Sequence, residues 1–204
     1  ALQCKEKSNI YYLDSNNGDD LNNGLTPQNS WKTLNKAQTT AKEKDTIILK
    51  TGNYGNYSES KIERNNWVTY KAEKDAEVYF NKIDLMSYDP DPEANYKAYL
   101  KFVGIKIKNN EENATAVKLH TVSKVKLHDL EIIGDGYSYS AGNIESSKSK
   151  AIYIYKSHDV EINNTHIHGT GPSYAQTWPG IIPKDPNTPA NASNHSGRWA
   201  WLFA

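Results

Sequence analysis

Two windows of the chain match one another without a gap at an offset of 35 residues: "AVKLHTVSKVKLHDLEIIG" (116–134) and "AIYIYKSHDVEINNTHIHG" (151–169). Ala116 meets Ala151, Val117 meets Ile152, Leu119 meets Ile154, Val125 meets Val160, Leu127 meets Ile162, Ile132 meets Ile167 and Gly134 meets Gly169. Apolar residues alternate with polar ones inside each window, the period of a β-strand. Self-similarity built from short strands is the mark of a β-solenoid, in which one coil cannot bury its apolar face alone and stacked coils share a continuous core. "LKFVGIKI" (100–107) fits the second half of the unit, "GII" (180–182) begins another, and "WVTYKA" (67–72) and "EVYFNKI" (77–83) read as earlier, degenerate turns. The unit reads as two strands joined by a polar turn. That turn holds Gly104, Asp129 and Asn164, residue types that tolerate a left-handed backbone. Residues 134–150 then form a long loop between coils, a common wall of solenoid binding faces.

The segment ahead of the repeats reads differently. "NIYYL" is a β-prone run. "SWKTLNKAQTTAKE" spaces Trp31, Leu34, Ala37 and Ala41 as a helix does, with Ser30 as N-cap. "DTIILK" is an apolar strand and "TGNY" a turn. Between the first strand and the helix lies "LDSNNGDDLNNG" (13–24), with Asp14, Asp19 and Asp20 among asparagines and glycines. Such oxygens suit Ca²⁺, and the same residues suit a tight turn. No glutamate closes the stretch at the distance an EF-hand loop requires.

These residues carry a resemblance. "SNNGDDLNNGLTP", "SWKTLNKAQ" and "KDTIILKTGNY" resemble the opening of right-handed parallel β-helix proteins of the polysaccharide-lyase type, the chondroitinase-, alginate- and pectate-lyase-like proteins. "VEINNTHIHGTG" is similar to one of their coils. The resemblance spans residues 10 to about 182. It implies an all-β, right-handed parallel β-helix with an N-terminal capping α-helix. The expected layout is a lead (1–9), a strand, loop and capping helix (10–60), coils (61–183) and a C-terminal tail or cap (184–204), with room for roughly four to six coils. It further implies a carbohydrate-active protein that cleaves a uronic-acid-containing polysaccharide by β-elimination. The same opening occurs in glycoside hydrolases and in non-catalytic proteins, so a glycan-binding or surface-adhesion solenoid and a hydrolase stand as alternatives.

Composition agrees with a glycan partner. The 24 basic and 24 acidic residues cancel, so no basic field points to nucleic acid. The 14 Tyr and 5 Trp offer rings on which sugar C–H faces pack, although a solenoid core also uses aromatics. The single cysteine, Cys4, excludes an internal disulfide. "ALQC" resembles the end of a bacterial lipoprotein signal, which implies export and a lipid anchor at Cys4, on the cell surface or in the periplasm; the plain alternative is an ordinary cysteine near a terminus.

With Val125, Leu127 and Ile132 inward, the outward columns can be read off: Lys106–Glu131–His166, Val103–His128–Asn163, Lys101–Lys126–Glu161, Lys118–Tyr153, His120–Tyr155 and Ile133–His168. β-Elimination must neutralise the sugar carboxylate, remove the proton beside it and assist the leaving oxygen. Lys118, His120, His166 and His168 are the expected catalytic groups, placed near one another by this reading. Tyr153, Tyr155, His128 and Asn163 are expected to bind substrate, and Glu131, Asp159 and Glu161 to hold Ca²⁺. Stacked Lys–Glu–His columns can equally be solvated ladders. His166 and His168 also have the spacing of a transition-metal chelate, with no third ligand apparent in the sequence. Only Arg64 and Arg198 are arginines, which argues against an arginine clamp, and no Asp cluster of the pectate-lyase kind is present.

Overall fold

The computed structural model describes residues 8–61, 63–86, 96–108, 115–133 and 150–168. Cys4, the 134–149 segment, "GII" at 180–182 and the 184–204 tail lie outside the described residues. In chain order the strands are β1 (Ile10–Leu13), β2 (Thr46–Leu49), β3 (Gly52–Asn53), β4 (Asn56–Glu59) and β5 (Val68–Ala72). They continue with β6 (Val78–Phe80), β7 (Lys82–Met86), β8 (Tyr96–Val103), β9 (Lys106–Lys108) and β10 (Thr115–His120). The last are β11 (Val122–His128), β12 (Glu131–Ile133), β13 (Lys150–Tyr155), β14 (His158–Asn163) and β15 (His166–His168). Among the described residues a short 3-10 turn (Pro27–Asn29) and one α-helix, α1 (Leu34–Thr40), stand between β1 and β2.

From β2 onward the chain visits three sheets in strict rotation. Sheet A runs β1-β2-β5-β8-β11-β14, sheet B runs β15-β12-β9-β6-β3 and sheet C runs β13-β10-β7-β4. All pairings are parallel. The fold is an all-β parallel solenoid, and the 35-residue offset is one full coil: Val125 pairs with Val160, Leu127 with Ile162, Val117 with Ile152 and Ile132 with Ile167.

The repeating unit has three strands, where the sequence suggested two. The missed corner is a single residue, Thr121 (φ 56°), and in the next coil Lys156 (φ 45°). Neither is a residue type that signals a turn, so β10 and β11 read as one run. The other corner is the expected one: Gly104 (φ 70°), Asp129 (φ 53°) and Asn164 (φ 46°) stack in the left-handed region. Asn164 Nδ2 donates to Asp129 Oδ1 at 2.7 Å, so the side chains of successive corners brace each other.

The interior follows from the alternation. Val117, Leu119, Val125, Leu127 and Ile132 are fully buried, beside an aromatic group of Tyr57, Tyr70, Phe80 and Phe102. Phe102 meets Tyr57 edge-on at 4.9 Å and stacks with Tyr70 at 5.6 Å. Ile162 continues the Leu127 column but is 43% exposed, on β14, the last strand of sheet A among the described residues. Beneath this core Glu59 accepts hydrogen bonds from Tyr57 Oη, at 2.9 Å, and from the Arg64 guanidinium. Arg64 also donates to the Ala98 carbonyl at 2.9 Å. Arg64 is thus an internal tie between coils.

The helix is shorter than its sequence pattern. Its N-cap is Thr33, whose hydroxyl accepts the Lys36 amide, and Ala41 is the C-cap. Ser30 is not the cap; its hydroxyl donates to the Pro27 carbonyl at 2.7 Å. Trp31 precedes the helix, bridges to Leu13 and stacks on Tyr11 at 4.3 Å. The helix therefore contributes Leu34 and Ala37 to the core, and Trp31 enters from the strand-like lead.

The Asp-rich loop spends its carboxylates on the chain itself. Asp14 Oδ1 accepts the amides of Asn16 and Asn17 at 3.0 and 2.9 Å. Asp20 accepts the amides of Lys32 and Thr33 and the Thr33 hydroxyl, fixing the start of α1. Asp19 accepts the Leu21 amide. Gly24 (φ +73°) lies so close to Trp31 that an added Cβ would stand 2.5 Å from the indole. The arrangement is that of a structural turn holding Trp31 and the helix start.

Burial pushes the Asp14 carboxyl up, but the Asn17 and Asn16 amides and the Lys50 ammonium outweigh it and hold it below the usual carboxylate range. A lowered folded pKa gives stability that is full above the unfolded value, about 3.9, and is lost as pH falls through the folded value. Asp14→Asn should therefore cost about 1–2 kcal/mol at neutral pH. Urea unfolding of the parent and the variant should show that gap closing below about pH 4. A gap that stays constant with pH would mean that the charge on Asp14 contributes nothing.

Candidate functional site

The outward columns read from the sequence are all present in the register, but they fall on three different faces. Sheet C carries Lys118, His120, Tyr153 and Tyr155. Lys118 pairs with Tyr153 and His120 with Tyr155 across β10 and β13. Lys118 and His120 flank the buried Leu119, so both point away from the core. The rings of Tyr153 and Tyr155 are parallel within 8° at 6.3 Å, and His120 lies 4.8 Å from Tyr155. Two further cations border this surface: Lys150 Nζ stands 4.7 Å from the Tyr153 ring centre and Lys156 Nζ 5.6 Å from that of Tyr155. His120 Nδ1 is 3.0 Å from Thr121 Oγ1, which orients the ring. On the preceding coil Asp84 pairs with Lys118, and its Oδ1 is buried without a hydrogen-bond partner among the described residues.

Sheet A carries His128, Asn163, Asp159 and Glu161. Lys126 Nζ and His128 Nε2 both lie 2.8 Å from Glu161 carboxylate oxygens. Lys124 Nζ is 2.7 Å and His158 Nδ1 3.1 Å from Asp159 Oδ2. Lys126 and Lys124 are the main causes that hold Glu161 and Asp159, respectively, below the usual carboxylate range. Lys126 also lies over the Trp67 ring at 5.1 Å.

Sheet B carries His166, His168 and Glu131. Glu131 Oε1 is 3.0 Å from His168 Nε2, while Lys106 Nζ bridges Glu131 Oε2 at 3.3 Å and Glu77 Oε2 at 2.7 Å. His168 first, and Lys106 after it, keeps Glu131 below the usual carboxylate range.

The structure thus divides the four expected catalytic groups, with Lys118 and His120 on sheet C and His166 and His168 on sheet B. The expected substrate-binding set divides as well: Tyr153 and Tyr155 stay on sheet C, whereas His128 and Asn163 are on sheet A. The three expected Ca²⁺ ligands do not converge, since Glu131 is on sheet B and Asp159 and Glu161 are on sheet A, each already held by a lysine and a histidine. Lys150 and Lys156 were missed in the sequence. A search for cations flanking the Tyr153–Tyr155 pair would have found them.

No protein-family model matches the chain, and no curated protein matches it. Among solved structures it is similar to a GH136 lacto-N-biosidase from Eubacterium ramulus, with a TM-score of 0.40 and 18% identity over 78% of this chain. The match covers 34% of that enzyme's chain. The parallel fold is established by the strand register, and function has to be sought in the side chains.

Proposed function

We propose that the chain is a carbohydrate-active protein that takes an acidic, uronic-acid-containing polysaccharide along the outer face of sheet C and cleaves it by β-elimination. The observation behind this reading is the grouping of Lys118, His120, Tyr153 and Tyr155 on two adjacent coils, bordered by Lys150 and Lys156. The tyrosine rings supply flat surfaces for sugar C–H faces. The ammonium groups supply the charge that a uronate carboxylate requires, a role that Ca²⁺ could share. His120 removes the proton beside that carboxylate, the electrons of that C–H bond form the C=C bond as the bond to the bridging oxygen breaks, and the Lys118 ammonium gives the departing oxygen its proton.

A hydrolase would need two carboxyls flanking one bond, one of them kept protonated by a raised pKa. Glu131 and Glu161, the candidates for that pair, lie on different sheets and both are held below the usual range. A binding solenoid is the second reading, favoured by the open stack of Tyr153 on Tyr155. Export and a lipid anchor at Cys4 accord with either, since such polymers are met outside the cell.

The protein should be incubated with alginate, pectate and chondroitin sulfates, with Ca²⁺ and with chelator. A rise in ultraviolet absorbance from the new C=C bond is the expected result, and the responding polymer names the substrate. Retention on a polymer gel without that rise would replace the lyase by the binding reading. Neither cleavage nor retention would overturn both.

A further inference from the structure

Sheet B carries a second constellation that the reading of sheet C does not use. We infer that Glu131, His166 and His168 form a site for a divalent transition ion of the zinc class.

Their ligand atoms all lie within 4.8 Å of one another. His166 and His168 sit at alternate positions of β15, so both project from the same face, with ring centres 4.8 Å apart. Glu131 pairs directly with His166 on the neighbouring coil, which supplies the third ligand that the sequence pattern of two histidines lacked. Two imidazole nitrogens and one carboxylate oxygen suit zinc and its neighbours, whereas Ca²⁺ takes oxygens.

The surroundings fit as well. His168 Nε2 and Glu131 Oε1 already face each other at 3.0 Å, so a cation entering there takes the place of the hydrogen bond between them. Lys106 holds the other oxygen, Oε2, at 3.3 Å and so orients the carboxylate from behind. Its charge is offset by Glu77, 2.7 Å away, so Glu77, Lys106 and Glu131 together present net negative charge to the ion. Both histidines are exposed, so an ion reaches them from solvent, and small side-chain rotations bring the three atoms to bonding distances of about 2.0–2.2 Å. Three protein ligands leave a fourth position open. Because Glu131 and the histidines belong to successive coils, the ion would also tie one coil to the next.

The test uses the whole chain without a histidine tag. Zn²⁺ titration by calorimetry should give one equivalent bound, and Co²⁺ should give the intense visible bands of a four-coordinate ion. His166→Ala, His168→Ala and Glu131→Gln should each weaken binding at least about tenfold. His158→Ala, an exposed histidine on sheet A, should leave it unchanged. Zn²⁺ should raise the melting temperature of the parent and not that of the double variant H166A/H168A. The absence of stoichiometric binding to the parent would overturn the inference. So would binding by H166A and H168A as tight as the parent's, with their folds checked by circular dichroism. Neither result bears on cleavage at sheet C, which is read separately from C=C absorbance.

Discussion

Replacing His120 by alanine should lower kcat/KM for β-elimination by about 10²–10⁴-fold, the range a positioned proton-transfer group contributes. Lys118→Ala should fall in the same range, because it removes both a charge facing the uronate and the group beside the leaving oxygen. Retention on the polymer should survive in H120A, since Tyr153, Tyr155, Lys150 and Lys156 still form the surface beneath the sugar. The comparison that matters is between faces. His128→Ala on sheet A removes one partner of an exposed pair with Glu161, a contact worth about 0–1 kcal/mol, and should leave turnover near the parent's. H166A on sheet B should behave likewise. A loss in H166A or H128A as large as that in H120A would move the site off sheet C. Unchanged turnover in both H120A and K118A would remove the proposed chemistry altogether.

Arg64→Ala should cost about 3–5 kcal/mol of folding stability, the largest effect expected outside the site. The Arg64 and Glu59 side chains are only 11% and 6% exposed. Taking away the guanidinium strands the Glu59 carboxylate beside the fully buried Tyr57 and leaves the Ala98 carbonyl without its donor. Burial alone would push the Arg64 pKa down; the Glu59 carboxylate more than reverses it, so the guanidinium keeps its charge. The double change R64M/E59Q removes both charges and should cost less than R64A, because no uncompensated ion remains. Urea unfolding monitored by circular dichroism separates these outcomes. Equal losses in R64A and the double variant would show that packing volume, and not the buried charge, is what Arg64 contributes.

Much of this is legible in the sequence. The offset of 35 residues gave the coil, and strand alternation gave every outward column, from Lys118–Tyr153 to Glu131–His166, each of which the register reproduces. Gly104, Asp129 and Asn164 marked their corner because glycine, aspartate and asparagine are the types that accept a positive φ. Arg64 could be excluded from a substrate clamp but not assigned its partner, since Glu59 meets it through the folding of β4 against the chain that follows.

What the sequence determined by itself was the order of residues along each column, because a period of two and a fixed coil length leave no other register for so many apolar matches. What only the tertiary structure decided was which columns share a face. That depends on the corner between β10 and β11, a turn made by Thr121 alone and by Lys156 one coil later, neither of which announces a bend. A one-residue corner redirects every side chain after it onto another sheet. For that reason Lys118 and His120 part from His128 and Asn163; with the Asn164 corner setting His166 and His168 on a third sheet, an apparent single site resolves into an aromatic, cationic face on sheet C and a carboxylate–histidine cluster on sheet B.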